Sequence, residues 1–494
     1  MIQQNSTNVN WIHCFDFVHY IIGDNMNKSI WRYDKNSYNY TKKNIECDVL
    51  IVGGGMCGIN TLFMLLDSNK KVILIDSNRV GSGITSKTTG KISVIQGYNY
   101  QNISKISKTL AYDYMHSQVF SIKKLIRMIK DYNIPCDLKK NCSYLFTNSN
   151  ENIKKILREK GLLDNVLKCD VIDSLPNGYP CLYGIKTDYS YVFNPIKYIS
   201  FIKDLCKDRI YEHTRAISIS RKLDYFLVKT NKNKISAKQV IICTHYPIFV
   251  NKLFFPLVTS ITKEYVVCGE TKDVHNSNML CCDDNIVSMR YYKNNMIYAS
   301  GNDLLGSKLN HKKNINSVIK DFKRHFNYPI KYTWYNYDIT STDYLPIIGE
   351  VSKDIFVATA FNKWGMTNSV LAASIISDLI KGNKNKYVDT FSIKRKSLIN
   401  STCLKNMFDN VVTYFKPKKN NITYEYNNGI KYAVYTDNNG ICHKIIDKCP
   451  HLGCGLVFNE VDKTWDCPCH GSRYDIDGKV IHGPSNISIK KSKD

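Results

Sequence analysis

Two hydrophobic rhythms divide the chain. Val49–Val52 is a short unbroken apolar run; Ile59, Leu62, Phe63 and Leu66 follow at helical spacing; Val72–Ile75 is a second apolar run. The order predicts strand, helix, strand. Helical spacing returns in Ile103–Tyr132, where Ile122, Leu125, Ile126 and Ile129 share a face, and in a charged stretch near Glu151–Lys160. It is clearest where Val370, Leu371, Ile375, Ile376, Leu379 and Ile380 precede Gly382, a C-terminal stop. Short runs predict strands at Tyr211–Ile219, Phe226–Thr230, Val240–Thr244, Tyr265–Val267, Ile286–Arg290, Met296–Ser300 and Ile355–Ala358. A mixed polar linker precedes a tail of short strands, Thr423–Tyr426, Lys431–Thr436 and Cys442–Ile446. The longest apolar region is broken by glycines, so no membrane span is expected.

The first strand runs into Gly53, Gly54, Gly55 and Gly58, in G-x-G-x-x-G spacing, and the second ends at Asp76. Each piece has a physical task in binding a dinucleotide. Gly53 permits a tight turn, Gly55 lets a pyrophosphate approach the backbone, and Gly58 lets helix and strand pack closely. The helix N-terminus offers N–H groups and a positive dipole end to phosphates. Asp76 is placed to accept hydrogen bonds from an adenosine ribose. The following segment, Ser77–Lys91, is rich in hydroxyls and small residues, Gly83 and Thr85 among them, and is expected to lie along the same cofactor. No second such fingerprint occurs, which argues against a separate NAD(P)H domain.

Composition changes this picture little. At 494 residues the chain accommodates two or three domains. The formal charge of +25 comes from dispersed lysines without a block of six, so a solvated surface is expected rather than specific nucleic-acid binding. The 18 cysteines are scattered, which fits a reducing, cytoplasmic compartment. Trp11–Gly23 is apolar but contains His13, Asp16 and His19, without a cationic start, so no signal peptide is expected; Met26 is a candidate natural start.

Later motifs extend the reading. The strand ending at Thr244, the segment DYLPIIG up to Gly349, and the turn Thr359–Asn368 (TAFNKWGMTN) follow the glycine fingerprint in order. Together, over roughly residues 45 to 395, they resemble the D-amino-acid-oxidase-like flavoproteins, relatives of glycine oxidase and sarcosine oxidase. The resemblance implies an FAD cofactor and a Rossmann-like α/β FAD-binding domain interleaved with a substrate domain built on an antiparallel sheet. Gly349, Gly365, Met366 and Thr367 would then neighbour the flavin. The family usually has Glu where this chain has Asp76, and the shorter acid can serve the same purpose. Arg290, Lys363 and Trp364 are weak candidates for the substrate pocket, and no general base stands out.

The tail holds a second constellation, Cys449-Pro-His451-Leu-Gly-Cys454 and Cys467-Pro-Cys469-His470-Gly-Ser472. Two thiolates and two imidazoles from two loops suit zinc or a Rieske [2Fe–2S] centre. Glycines after each ligand pair and a following Gly483-Pro484 favour the cluster. Residues 420 to 490 closely resemble the Rieske family. That resemblance implies that Cys449 and Cys467 hold one iron, His451 and His470 the other, and that Cys454 and Cys469 form a disulfide bond. The remaining histidines offer no spaced pair for a mononuclear iron, which disfavours ring hydroxylation.

The expected layout is an N-terminal extension (1–44), an FAD-dependent oxidoreductase region (45–400), a linker (401–420) and an all-β Rieske domain (421–494). The first functional reading is a dehydrogenase that takes hydride from a small amine, amino acid or hydroxy acid and passes single electrons through the cluster to an external acceptor. The second reverses the flow from an external donor. The third is a non-catalytic, redox-responsive binding protein, for which an empty or occluded substrate cavity would speak.

Overall fold

The computed structural model describes residues 28–31, 43–250, 253–304, 311–415, 422–437, 439–460 and 462–489. The expected start at Met26 lies outside them. The predicted strand, helix and strand form at Ile45–Val52, Met56–Met64 and Val72–Ile75. The two strands pair in parallel, Val49 opposite Val72 through Val52 opposite Ile75. Lys234–Ile242 adds in parallel on the other side of the first strand, and Ile355–Thr359 beyond it. With Ile210–Tyr211, Ile347–Ser352, Ala216–Arg221 and Phe226–Thr230 they complete an eight-stranded sheet. Val49 to Ile51 are fully buried, which is why these strands read as unbroken apolar runs.

The chain leaves this sheet twice. Segments between Lys91 and Val192, and again between Thr259 and Ser341, build a nine-stranded sheet, so the two units interleave as expected. The second sheet is mainly antiparallel, with Ser277–Cys281 and Lys139–Thr147 paired in parallel. Helix Gly365–Lys381 is buried along nearly its whole length, packs on Met56–Met64, and stops at Gly382 in the left-handed conformation. The long helix expected at Ile103–Tyr132 is two, Asn99–Ile106 and Lys108–Asp131; the Ser107 side chain caps the second by accepting from the Leu110 N–H.

Ser401–Phe415, expected as a polar linker, is a helix. It packs near Phe254–Val258, with Asn406 Nδ2 donating to the Leu257 carbonyl at 3.0 Å, while Leu404, Phe408 and Phe415 stay exposed. The tail forms a three-stranded sheet, Thr423–Asn427, Ile430–Thr436 and Cys442–Ile446, and a four-stranded sheet, Val457–Asn459, Thr464–Asp466, Arg473–Tyr474 and Val480–His482. Trp465 and Tyr474 fill their shared core. Among the described residues no helix is long and apolar enough to cross a membrane.

Candidate functional site

The parallel strands end side by side, and the residues that follow them line a groove of about 240 Å³: Gly53, Asp76, Cys243 to His245, and Ala360. Strand ends of an open α/β sheet are where backbone N–H groups turn outward to a ligand. Backbone passes close to backbone here. A Cβ on Gly53, at φ +107°, would lie 2.5 Å from the Cys243 carbonyl oxygen, and one on Gly58 would lie 1.9 Å from the Gly53 carbonyl oxygen. Neither position has room for a side chain. Asp76 accepts from the N–H groups of Gly54 and Asn78, both at 2.7 Å. Burial raises its pKa against those hydrogen bonds. A carboxylate has about four acceptor sites, so capacity remains for a ribose.

The loop after Asp76 is fixed from outside. Four consecutive carbonyls accept from buried side chains: Lys87 from Trp334 Nε1 (2.8 Å), Thr88 from Trp31 Nε1 (2.7 Å), and Thr89 and Gly90 from the Arg290 guanidinium (2.7 Å each). Arg290 is fully buried and lies outside the substrate-sized cavity, neither a pocket residue nor a surface one; it clamps the loop. Thr85 Oγ1 accepts from Met56 N–H at 3.0 Å at the helix N-terminus.

At the far end of the groove lie Asn336, Asp338, Phe361, Lys363, Gly365 and Met366. Burial and the charge of Glu264 raise Asp338 to about 7. The turn carries three non-glycine residues at positive φ, Ala360, Asn362 and Lys363. Such backbone persists only where neighbours over-determine it. Asn362 Oδ1 accepts from Ser341 N–H at 3.0 Å, and Asn368 Nδ2 donates to Phe361 O at 3.0 Å. Beneath the turn, Thr367 donates to Gln118 at 2.6 Å, Gln118 to Asn368 at 2.8 Å, and Tyr114 to Gln96 at 2.7 Å.

A second cavity, of about 350 Å³, shares Thr88, Lys363 and Met366 with the groove. Its wall carries Glu264, Lys91, Gln96, Tyr98, Trp364 and Tyr344. Glu264 Oε1 stands 3.8 Å from Lys363 Nζ. Burial lowers Lys91 to about 7.

The two cysteine loops repeat one another. Gly453 N–H donates to Cys449 O (2.8 Å) and Gly471 N–H to Cys467 O (2.9 Å); Cys449 N–H donates to Cys454 O (2.9 Å) and Cys467 N–H to Ser472 O (2.7 Å). Cys454 and Cys469 are joined by a disulfide bond. The Cys449 and Cys467 thiols are buried and hydrogen-bonded to one another, which lowers the pKa of Cys449; Tyr474 Oη lies 3.2 Å from Cys449 Sγ. The His451 and His470 rings pair separately, with centroids 5.1 Å apart, and the buried Nδ1 of His470 has no hydrogen-bond partner. Zinc would draw all four donors to one point. Instead, among the described residues, the only three such donors within 4.8 Å of one another are Cys454, Cys467 and Cys469, two of them spent in the disulfide. A thiol pair beside an imidazole pair fits a two-iron centre.

Where the C-terminal sheets meet the rest of the chain, the contact is charged and buried. Arg473 donates to Asp466 (2.9 Å), Asp462 (2.7 Å) and Tyr335 (2.8 Å). Lys263 Nζ lies 3.8 Å from Asp462, and His311 3.8 Å from Asp466. Burial would raise Asp466, but Arg473, His311 and Lys263 together hold it down at about 2. An ion cluster of this kind keeps its geometry because removing any one member leaves the others buried and uncompensated.

Of the residues expected at the cofactor, Gly53, Gly55, Asp76, Gly83, Thr85, Gly365 and Met366 line the groove. Gly54, Gly58, Gly349 and Thr367 do not; Gly54 orients Asp76, Gly58 permits close packing, and Thr367 bonds Gln118. Of the weak pocket candidates, Lys363 and Trp364 line the second cavity. Sequence reasoning missed Thr214 to Ala216, Asn336, Asp338, Ile481 to Gly483, Ser485 and Asn486, all on the groove. They come from distant strands and carry no local spacing.

A family model described as FAD dependent oxidoreductase matches residues 48–379, and one described as Rieske [2Fe-2S] domain matches residues 413–493. The putative Rieske 2Fe-2S iron-sulfur protein YhfW of Bacillus subtilis is 27% identical over 496 positions, 93% of this chain and 96% of that protein. Cytochrome b6-f complex iron-sulfur subunit 2 of Trichormus variabilis is 52% identical over 46 residues, 9% of this chain and 26% of that one. Among solved structures, glycine oxidase from Geobacillus kaustophilus matches with a TM-score of 0.58 at 16% identity, covering 71% of this chain and 99% of that one, a likeness of fold. The chain belongs to the FAD-dependent oxidoreductase family and ends in a Rieske domain, an oxidoreductase with FAD and a [2Fe–2S] cluster as its cofactors.

Proposed function

We infer that this protein is a dehydrogenase that takes hydride from a small amino acid, amine or hydroxy acid and delivers single electrons to the Rieske cluster. FAD supplies the chemistry, accepting two electrons together and releasing them singly. Gly53, Gly55 and the N-terminus of helix Met56–Met64 hold its pyrophosphate, Asp76 its ribose, Gly83 and Thr85 its middle, and Gly365 and Met366 border its ring. Gly54, Gly58, Gly349 and Thr367 support that shape from behind. Cys449, Cys467, His451 and His470 hold the cluster.

The observation that carries the reading is the second cavity, which shares Thr88, Lys363 and Met366 with the groove. Its charges suit a zwitterion. Glu264 would take an ammonium group and Lys363 a carboxylate, so the bond to be broken would be held in one orientation. Tyr98, Tyr344 and Trp364 exclude water. The fold-mate named glycine oxidase is consistent with an amino acid. We place the protein in the cytoplasm, on the strength of its many unpaired thiols; its electron partner is an external carrier.

Anaerobic addition of small amino, imino and hydroxy acids tests this. The flavin band should bleach first and a Rieske-type EPR signal should follow. Failure with every class tested overturns the reading. Reduction of both centres only by an added external donor, with the cluster leading, supports the opposite direction.

A further inference from the structure

The groove has a wall that the FAD-binding fold does not supply. Ile481, His482, Gly483, Ser485 and Asn486 line it opposite the strand ends, and all belong to the C-terminal domain. The stretch is pinned near both its ends. His245 Nδ1 lies 3.2 Å from His482 Nε2 across the boundary, and Asn486 Nδ2 donates to the Ile217 carbonyl at 2.6 Å. His482 Nδ1 lies 2.9 Å from the Gly483 carbonyl, which can only accept, so Nδ1 carries the proton. Nε2 is then the acceptor, and His245 donates to it. The His245 carbonyl is held in turn by Thr359 Oγ1 at 2.6 Å, from the neighbouring strand end. Burial keeps both rings neutral, at about 3 for His245 and about 4 for His482.

The same stretch reaches the cluster loops. Ser485 N–H donates to Ser472 Oγ at 3.0 Å, and Ser472 follows His470 and Gly471. On the other side of the boundary, Tyr246, Pro247 and Ile248 follow His245 and line a small cavity with His451. Ile248 lines the groove as well.

We propose that the stretch Ile481–Asn486 is part of the FAD site, so that FAD retention and docking of the cluster domain are a single linked equilibrium. FAD binds more tightly to the docked arrangement, and by reciprocity bound FAD holds the cluster domain in place. His482 and Asn486 are positioning residues of this closure. The inference rests on FAD as cofactor and holds for either direction of electron flow.

Hydrogen exchange on the full-length holoprotein and on the same protein stripped of FAD tests this directly. FAD should slow amide exchange in 481–486 and 245–250. In full-length His482→Ala/Asn486→Ala, FAD affinity, read by recovery of flavin fluorescence, should fall about tenfold, the loss expected for one or two hydrogen-bonded contacts. The Rieske EPR signal reports whether the cluster domain of the variant is folded. Exchange in 481–486 that ignores FAD overturns the proposal. So does a variant that keeps the EPR signal and binds FAD as tightly as wild type. If the variant loses its cluster, the wild-type exchange decides alone.

Discussion

The groove gathers residues from seven separated places, around Gly53, Asp76, Thr214, Cys243, Asn336, Gly365 and His482, while the four proposed cluster ligands all lie between Cys449 and His470. The groove works largely through backbone. Its decisive positions are ones where a side chain must be missing, such as Gly53, with a carbonyl oxygen 2.5 Å from any added Cβ, and Gly58 behind it at 1.9 Å. The cluster loops work through side chains, and their backbone only repeats one tight turn twice. Adding atoms should therefore break the first site, and removing them the second.

The largest effect is expected at the cluster. Cys449→Ser should abolish the Rieske EPR signal while flavin absorbance persists; a signal of wild-type shape in this variant would show that the thiol pair is not the ligand set. Next comes Gly58→Ala, which should cost roughly 3 kcal/mol or more of stability and release FAD, against about 1 kcal/mol for Thr85→Ala, which removes only a hydrogen bond at the helix start. Thermal melts of the two variants would sharpen the contrast, and equal losses would break it.

A further effect concerns acid. In the unfolded chain His245 and His482 titrate near the ordinary value of 6.5, whereas the folded rings do so at about 3 and 4. Between those limits the unfolded chain binds more protons, so stability falls as pH drops below about 6.5. Burial is the main cause for both; His482 adds to the effect on His245, and Arg473, Lys87 and Arg215 add to that on His482. The expected loss is roughly 2 kcal/mol per ring between pH 6.5 and pH 5. Flavin release followed across this range, in wild type and in His482→Ala, measures it; identical profiles would remove the pair from the boundary.

The same contrast explains what could be read from the chain. Strand, glycine turn, helix and acid occur in one short stretch, and the ligand loops carry their own spacing, so both were legible. The interleaving of two sheets followed from resemblance rather than periodicity. Asn336 and Asp338 sit mid-strand, where alternation tells only which face a residue takes. Arg290 looked like a strand-end cation because its real partners, the carbonyls of Thr89 and Gly90, are set by a fold that brings distant segments together. The helix Ser401–Phe415 was legible in the helical spacing of Leu404, Phe408, Val411 and Phe415, but its polar neighbours read as a linker; that apolar stripe remains largely exposed.

The charges around Arg473 bear on how such a protein could be re-engineered. Asp462, Asp466 and Arg473 come from the tail, whereas Lys263, His311 and Tyr335 come from the main body. A transplanted iron–sulfur module from another source, even with every ligand intact, would present the wrong countercharges to Lys263 and strand it in a dry seam. The two halves behave as lock and key cut together, and swapping either one requires recutting both.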